Sequence, residues 1–308
     1  MTKRAPPKGD RQPDLFAAGF ADIPIRDQRD TMERPFFSLA KKPRRTPIEY
    51  QVGHTFVRVS PNKDHGIATI WDADVLIWAA TQITEALDRG LQPGPMVFFQ
   101  PYNLLKFIRR DTSGRAYQRL KDALRRLAAT YVETNIRAPN SAKSKTAGFH
   151  WLESWEEHVD EDGQPTGMAI TLPYWLFSGI VQQGGVLTIH EDYFLLTGGI
   201  ERWLYRVARK HAGSQETGWH FTMRQLYEKS GSCARFSDFA LDVRKIAEAN
   251  SLPEYTLTLR KNAEGEEVLS MVRRSKLHVS DPRYELPRHP HRRIAGGITQ
   301  KARRFTSP

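Results

Sequence analysis

One apolar stripe, used twice, limits what this chain can fold into. Tyr117, Leu120, Leu124 and Leu127 recur at helical spacing inside GRAYQRLKDALRRLAAT, so one face of that helix must be buried. Phe236, Phe239, Val243 and Ile246 repeat the spacing inside RFSDFALDVRKIAEAN. When the stripes are superposed, Arg125 and Arg126 fall on Arg244 and Lys245. A short helix precedes each stripe, PYNLLKFIRR or FTMRQLYEKSGS, and strand-like segments follow each. The first pair of strands is TYVETNIR and GFHWLESWEEHV, around the polar tip RAPNSAKSKTAG. The second is EYTLTLRKNAEGEEVLSMVRR, with a turn at KNAEGEE. Helix, turn, helix, hairpin is the order of a winged helix-turn-helix. The expected fold is α+β, with tandem winged units related by an internal pseudo-twofold repeat.

Four segments are expected. Residues 1–47 read as a flexible basic arm ending in KKPRRTP, with PDLFAAGFADIPIRD as a short docking helix or strand. Residues 48–172 form the first unit and 173–279 the second, joined through Tyr193–Gly213. Residues 280–308 form a basic flexible tail. Within the first unit, EYQVGHTFVRVSP and GIATIWD read as strands about a turn at Asn62–Gly66. Asp72 is placed to cap a helix running to about Arg89, buried through Val75, Leu76, Trp78, Ala79, Ile83 and Leu87 and ended by Gly90.

Charge then suggests the partner. The 46 Lys and Arg exceed the 35 Asp and Glu, leaving +11, a balance that favours a polyanion. If the stripe of Gly114–Thr130 faces inward, Arg115, Gln118 and Arg119 face outward near its start. Arg reads guanine and Gln reads adenine in the major groove. These three, with Arg235 in the second unit, are the expected base contacts. Lys121, Arg125, Arg126, Arg137, Lys143, Lys145, Arg244, Lys245 and Lys261 are the expected backbone contacts. Arg273 and Arg274 add charge, while Asp238 and Asp242 are read as local ion-pair partners.

Other chemistries lack their residues. One cysteine, Cys233, permits no intramolecular disulfide and no Cys-based zinc site. No G-x-x-x-x-G-K-[ST] or H-E-x-x-H motif occurs. His289 and His291 bracket a proline in an Arg-rich stretch, not the buried strand of a nicking nuclease. Tyr193 and Tyr205 sit in apolar surroundings and are expected in the core. The acids Glu153, Glu156, Glu157, Asp160, Glu161 and Asp162 read as an exposed hairpin edge or a protein-docking surface. MTKRAPPKGD is followed by no apolar signal region, and no run approaches a membrane span of ~18 residues. The expectation is a soluble, cytoplasmic, non-enzymatic protein with no metal, no cofactor and no membrane partner.

Several blocks resemble a known family. MERPFFSL, ATIWDADVLIWAATQI, FFQPYNLL with RRDTSGRAYQRLKDALRRLAATYVETNIR, and YFLLTGGIERWLYRVARKHAG with LYEKSGS are similar to bacterial plasmid replication initiator protein A sequences. The resemblance spans about residues 30–278. It implies winged-helix units that bind repeated sites in a plasmid origin and help open the duplex. It also implies recruitment of host DnaA and replicative helicase, and possible homodimers. A transcriptional repressor with the same DNA chemistry is the alternative; a rolling-circle nicking enzyme is a more distant one.

Overall fold

Strand alternation and turn chemistry set up the first sheet. In Ile48–Val52 (β2), Ile48 and Tyr50 point inward, and in Thr55–Ser60 (β3) Val57 and Val59 do the same. Gly53, at φ 57°, closes the hairpin between them. The expected turn at Asn62–Gly66 instead closes a single bridge, with the Asn62 side chain accepting from the Asp64 and His65 amides. GIATIWD does not become a strand. Its amides are satisfied singly: Ile67 donates to the Arg44 carbonyl, Ala68 to Thr130 Oγ1 and Ile70 to the Ser38 carbonyl. The computed structural model describes residues 23–137, 146–162, 165–277 and 281.

The first sheet continues through Tyr131–Thr134 (β5) to Ala147–His150 (β6), in the order β2-β3-β5-β6. The expected single returning strand GFHWLESWEEHV is broken after β6. Trp151 is fully buried, stacks on Phe37 at 4.6 Å, and donates its amide to the Leu127 carbonyl. The chain resumes as Ser154–Val159 (β7) in a different sheet with Met96–Phe99 (β4) and Pro165–Thr171 (β8), in the order β4-β8-β7. β7 is an edge of that sheet and carries Glu156 and Glu157 exposed.

Helix Ala73–Asp88 (α1) is buried on almost every side rather than along one stripe; Leu87, expected inward, is exposed, as is Asp88 at its end. Asp72 precedes it without capping it. Its carboxylate accepts from the Thr69 amide and from Arg126. Gly90, at φ 77°, ends the helix, with Gly90 and Leu91 amides bonding back to Leu87 and Ala86. Pro101–Phe107 (α2) and Gly114–Ala129 (α3) follow. Leu120, Leu124 and Leu127 are buried as the stripe requires; Tyr117 packs at its margin.

Tyr174–Val181 (α4) packs on α1, and Trp175 stacks on Phe149 at 4.5 Å. Val186–Thr188 (β9) pairs antiparallel with Arg26–Gln28 (β1). Residues 173–188 therefore pack with the first half, across the boundary expected at residue 172. Gly199–Ala212 (α5), Trp219–Thr222 (β10), Met223–Ser230 (α6) and Phe236–Ala249 (α7) come next. Tyr255–Lys261 (β11) and Glu267–Arg273 (β12) form the expected hairpin, and β10 joins its other side in the order β10-β12-β11. Phe239 and Val243 of α7 are fully buried.

The segment 23–47 is not a flexible arm. Met32, Phe36 and Phe37 are buried, and the Glu33 carbonyl accepts from Trp203 Nε1. Arg44 donates to the Gly231 carbonyl, so this segment straps the first half to the second. The result is a mixed α/β fold with a continuous apolar core. Among the described residues no helix is long and apolar enough to cross a membrane.

Two arginines on α5 lie inside that core. Arg202 donates to Asp74 of α1 at 2.7 Å and to the Leu196 and Phe194 carbonyls. Arg206 holds Asp27 of β1 through two bonds and also reaches Thr31 Oγ1. A buried charge needs such partners, because an unpaired one costs several kcal/mol. Burial pushes the Asp27 carboxyl upward against the opposing pull of Arg206. Tyr193 and Tyr205 are in the core as expected; Tyr205 donates to Glu254 and accepts from the His190 amide.

Candidate nucleic-acid interface

The inward stripe of α3 dictates what its other side presents. Arg115, Gln118 and Arg119 are exposed along the first half of the helix. Among the described residues neither Arg115 nor Arg119 is in an ion pair, although Arg119 lies near enough to Asp111 to help lower its pKa. The larger cause of that lowering is the hydrogen bonding of Asp111 to the Ser113 hydroxyl and amide. This Asp111–Ser113 turn sets the start of α3. Gln118 donates to Asp122 at 3.0 Å, and Arg125 donates to the same carboxylate at 2.9 Å. One acid thus orders two outward side chains.

The cations farther along differ from one another. Lys121 pairs with Glu157 of β7 at 2.6 Å. Arg125 also lies 6.0 Å from the Trp155 ring. Arg126 turns inward instead: Nε and Nη2 bind the two oxygens of Asp72 at 2.8 and 2.7 Å, and these bonds raise its pKa. Arg137 is likewise claimed by the fold. It pairs with Asp30, donates to the Trp175 carbonyl at 2.9 Å and lies 4.0 Å from the Trp175 ring centroid. Both were expected from sequence to meet phosphates, and both are engaged internally here, Arg126 by the buried Asp72 and Arg137 by the largely buried Asp30. Lys143 and Lys145 lie outside the described residues, as do His289 and His291.

On α7 the outward charges are balanced locally. Arg235 pairs with Asp238 at 2.9 Å, Lys245 with Asp242 at 3.8 Å, and Arg244 with Glu267 of β12 at 2.7 Å. The pairings of Asp238 and Asp242 are those expected. Lys261 is exposed at the end of β11 and in no ion pair among the described residues. Arg273 is held by Glu254, and Arg274 by the Leu252 and Asn250 carbonyls. Sequence reasoning passed over Arg224, exposed on α6 and stacked 4.3 Å over Phe236. It also passed over Arg202 and Arg206, whose signal was an i, i+4 pair of arginines within an otherwise apolar helix face.

No group of three or more His, Cys, Asp or Glu able to hold a metal occurs among the described residues. A family profile described as replication initiator protein A matches residues 26–257. This chain belongs to that family. A putative replication protein of Wigglesworthia glossinidia brevipalpis is 32% identical over 236 residues, covering 76% of this initiator and 84% of the relative. In three dimensions the initiator is similar to the crystal structure of domains 2 and 3 of RctB, with TM-score 0.55 and 14% identity. That match covers 76% of this chain and 94% of the other, so the two share a fold. A second crystal structure of RctB domains 2–3 is matched at TM-score 0.48 and 13% identity, over 78% of this chain and 95% of that one. Membership of this family supports a role in the initiation of replication.

Proposed function

We propose that this initiator binds repeated sites in the duplex DNA of a plasmid origin, with α3 as the principal base-reading helix. The observation that carries the reading is the exposed Arg115 and Arg119, in no ion pair among the described residues, beside Gln118 on a helix whose opposite face is core, in a chain of the replication initiator protein A family. Arg115 and Arg119 suit guanine O6 and N7, and Gln118 suits adenine. Lys121 and Arg125 then meet phosphates, since their surface partners Glu157 and Asp122 are half exposed and readily exchanged for a phosphate oxygen.

The order α5-β10-α6-α7-β11-β12, with β10 beside β12, supports a winged-helix reading of the second half. The order α1-β4-α2-α3-β5-β6 supports a pseudo-twofold relation, although β4 pairs with β8 rather than with the hairpin. The second half adds Arg235 as a base contact and Arg244 and Lys245 as backbone contacts after exchange of their local partners, with Lys261, in no ion pair among the described residues, as a further backbone contact. Binding at adjacent repeats bends the origin and lowers the cost of strand opening. Host DnaA and helicase, a homodimeric state and a cytoplasmic setting complete the reading. The protein acts by binding, without covalent catalysis.

The test is selection of sites from random duplex DNA, followed by salt titration of the winner against a scrambled duplex. A reproducible motif that is lost in Arg115→Ala/Arg119→Ala supports the reading. No motif, or one indifferent to that double variant, removes α3 from the interface.

A further inference from the structure

Glu33, in the strap, gathers more positive charge than it can balance. Its carboxylate is buried, and side chains from the strap, α5 and α6 converge on it. Arg34, its neighbour in the strap, binds Oε1 at 2.9 Å, and His211 at the end of α5 hydrogen-bonds Oε2. Lys210 of α5 and Lys229 of α6 hold their ammoniums 3.8 and 3.9 Å from the same Oε1, beyond hydrogen-bond reach. Three permanent cations thus share one carboxylate, and His211 is a fourth when protonated. Nearby acids do not make up the difference. Asp30, whose field reaches Lys210, is taken by Arg137 and offset by Arg29. Glu228, next to Lys229, is exposed and in no ion pair among the described residues.

The two ammoniums are also short of acceptors. A lysine ammonium is a triple donor, and neither of these makes a hydrogen bond among the described residues. Their side chains are only 15% and 21% exposed. Burial lowers the pKa of both, against the pull of Glu33. Arg34 Nε is buried without a partner as well. The neighbouring rings, Phe221 at 5.6 Å from Lys229 Nζ and Trp219 stacked on His211, offer no competing acceptor. A network that served only to hold the strap would match its charges. This one keeps like charges together and donors unpaired, which costs desolvation and repulsion. Both ammoniums lie beside one oxygen, so a single tetrahedral oxyanion accepting at ~2.8 Å from each can bridge them.

We propose that Lys210 and Lys229, with Arg34, hold one phosphate group at the junction of the strap, α5 and α6. The anion supplies the negative charge that Glu33 alone does not, and it accepts from the donors left open. Its ligands come from the strap and from two helices of the second half, so the bound phosphate fastens the strap to that half. The site is separate from the outward face of α3 and does not rest on DNA reading by that helix. The phosphate is either free in solution or part of a duplex backbone; the chemistry is shared, and the test separates the sources.

The experiment follows the thermal midpoint of the full chain as inorganic phosphate replaces chloride at constant ionic strength and neutral pH. The midpoint of the parent should rise and saturate. Lys210→Met/Lys229→Met should need about tenfold more phosphate for the same rise, because two charge-assisted donors are gone. Lys229→Gln should show a smaller loss, and it carries the test if the double variant does not fold. The general stabilisation by phosphate does not saturate and is common to all three proteins. Equal responses in parent and variants, or no saturable rise in the parent, overturn the proposal. Given a saturable rise, salt titration of duplex binding identifies the source. A slope shallower by about two in the double variant assigns the phosphate to the DNA backbone, and an unchanged slope assigns it to the free anion.

Discussion

Asp74→Ala should uncouple the two halves of the molecule. Asp74 is fully buried on α1 and is held by Arg202 at 2.7 Å and Arg110 at 2.8 Å. Removing one member of a buried pair costs roughly 3–5 kcal/mol, because the other is left uncompensated. The low end applies here. Arg110 is one-third exposed and can turn to water. Arg202 cannot, but it keeps the Leu196 and Phe194 carbonyls and the Tyr193 ring, 4.9 Å away. About 3 kcal/mol corresponds to a fall in thermal midpoint of roughly 6 °C, at about 2 °C per kcal/mol for a large chain. Urea unfolding followed by tryptophan fluorescence, with calorimetry, measures it. The companion Asp74→Ala/Arg202→Met removes both charges and should regain more than half of the loss, since the coupling is pairwise. An Asp74→Ala midpoint equal to that of the parent, or a double variant as unstable as the sum of the singles, would refute the buried-pair account.

Other perturbations probe separate surfaces. Burial alone pushes Glu33 up, but His211, Lys210, Arg34 and Lys229 reverse this and hold it at about 2, against an ordinary 4.5. Its stabilisation is therefore complete above about pH 4.5 and lost as pH falls toward 2, on the order of 3 kcal/mol; acid titration of Glu33→Gln should show a flatter fall across that window. Arg119→Ala should weaken specific duplex binding by ~1–3 kcal/mol and relax base choice, and equal affinity of parent and variant across a mismatch series would exclude a base contact. Arg126→Ala should leave the salt dependence of DNA binding unchanged while lowering the thermal midpoint, because its charge is spent on Asp72; a shallower salt slope with an intact midpoint would return it to the DNA face. Leu124→Ala should cost roughly 2–5 kcal/mol in denaturant unfolding, as its side chain is fully buried; a negligible change would place the α3 stripe at the surface.

What could be read from the chain alone was what local periodicity encodes. The α3 and α7 stripes, the β11–β12 hairpin and the glycine after α1 depend on neighbours within a few residues. The interruption at Trp151 does not: it arises because the indole finds Phe37, more than a hundred residues away. β10 escaped notice because four residues beside a capping Thr222 look like the run-in to a helix, and their pairing partner is β12. The strap at 23–47 was misjudged because its composition is polar while four of its apolar residues, Ile25, Met32, Phe36 and Phe37, are buried. For the interface, outward direction was legible and engagement was not. Arg126 and Arg119 look equivalent on a helical wheel, yet one faces Asp72 and the other faces solvent.

The strap also bears on how such initiators can diversify. A segment at the start of the sequence lends Glu33 to cations on α5 and α6, and Asp27 to Arg206. Exchanging the carboxy-terminal half with that of a relative would therefore place a foreign surface against native acids unless the leading segment travelled with it. Simple shuffling of halves is therefore penalised, and, on the proposed DNA-binding reading, single substitutions on the outward face of α3 are the path to a new specificity that the architecture leaves open.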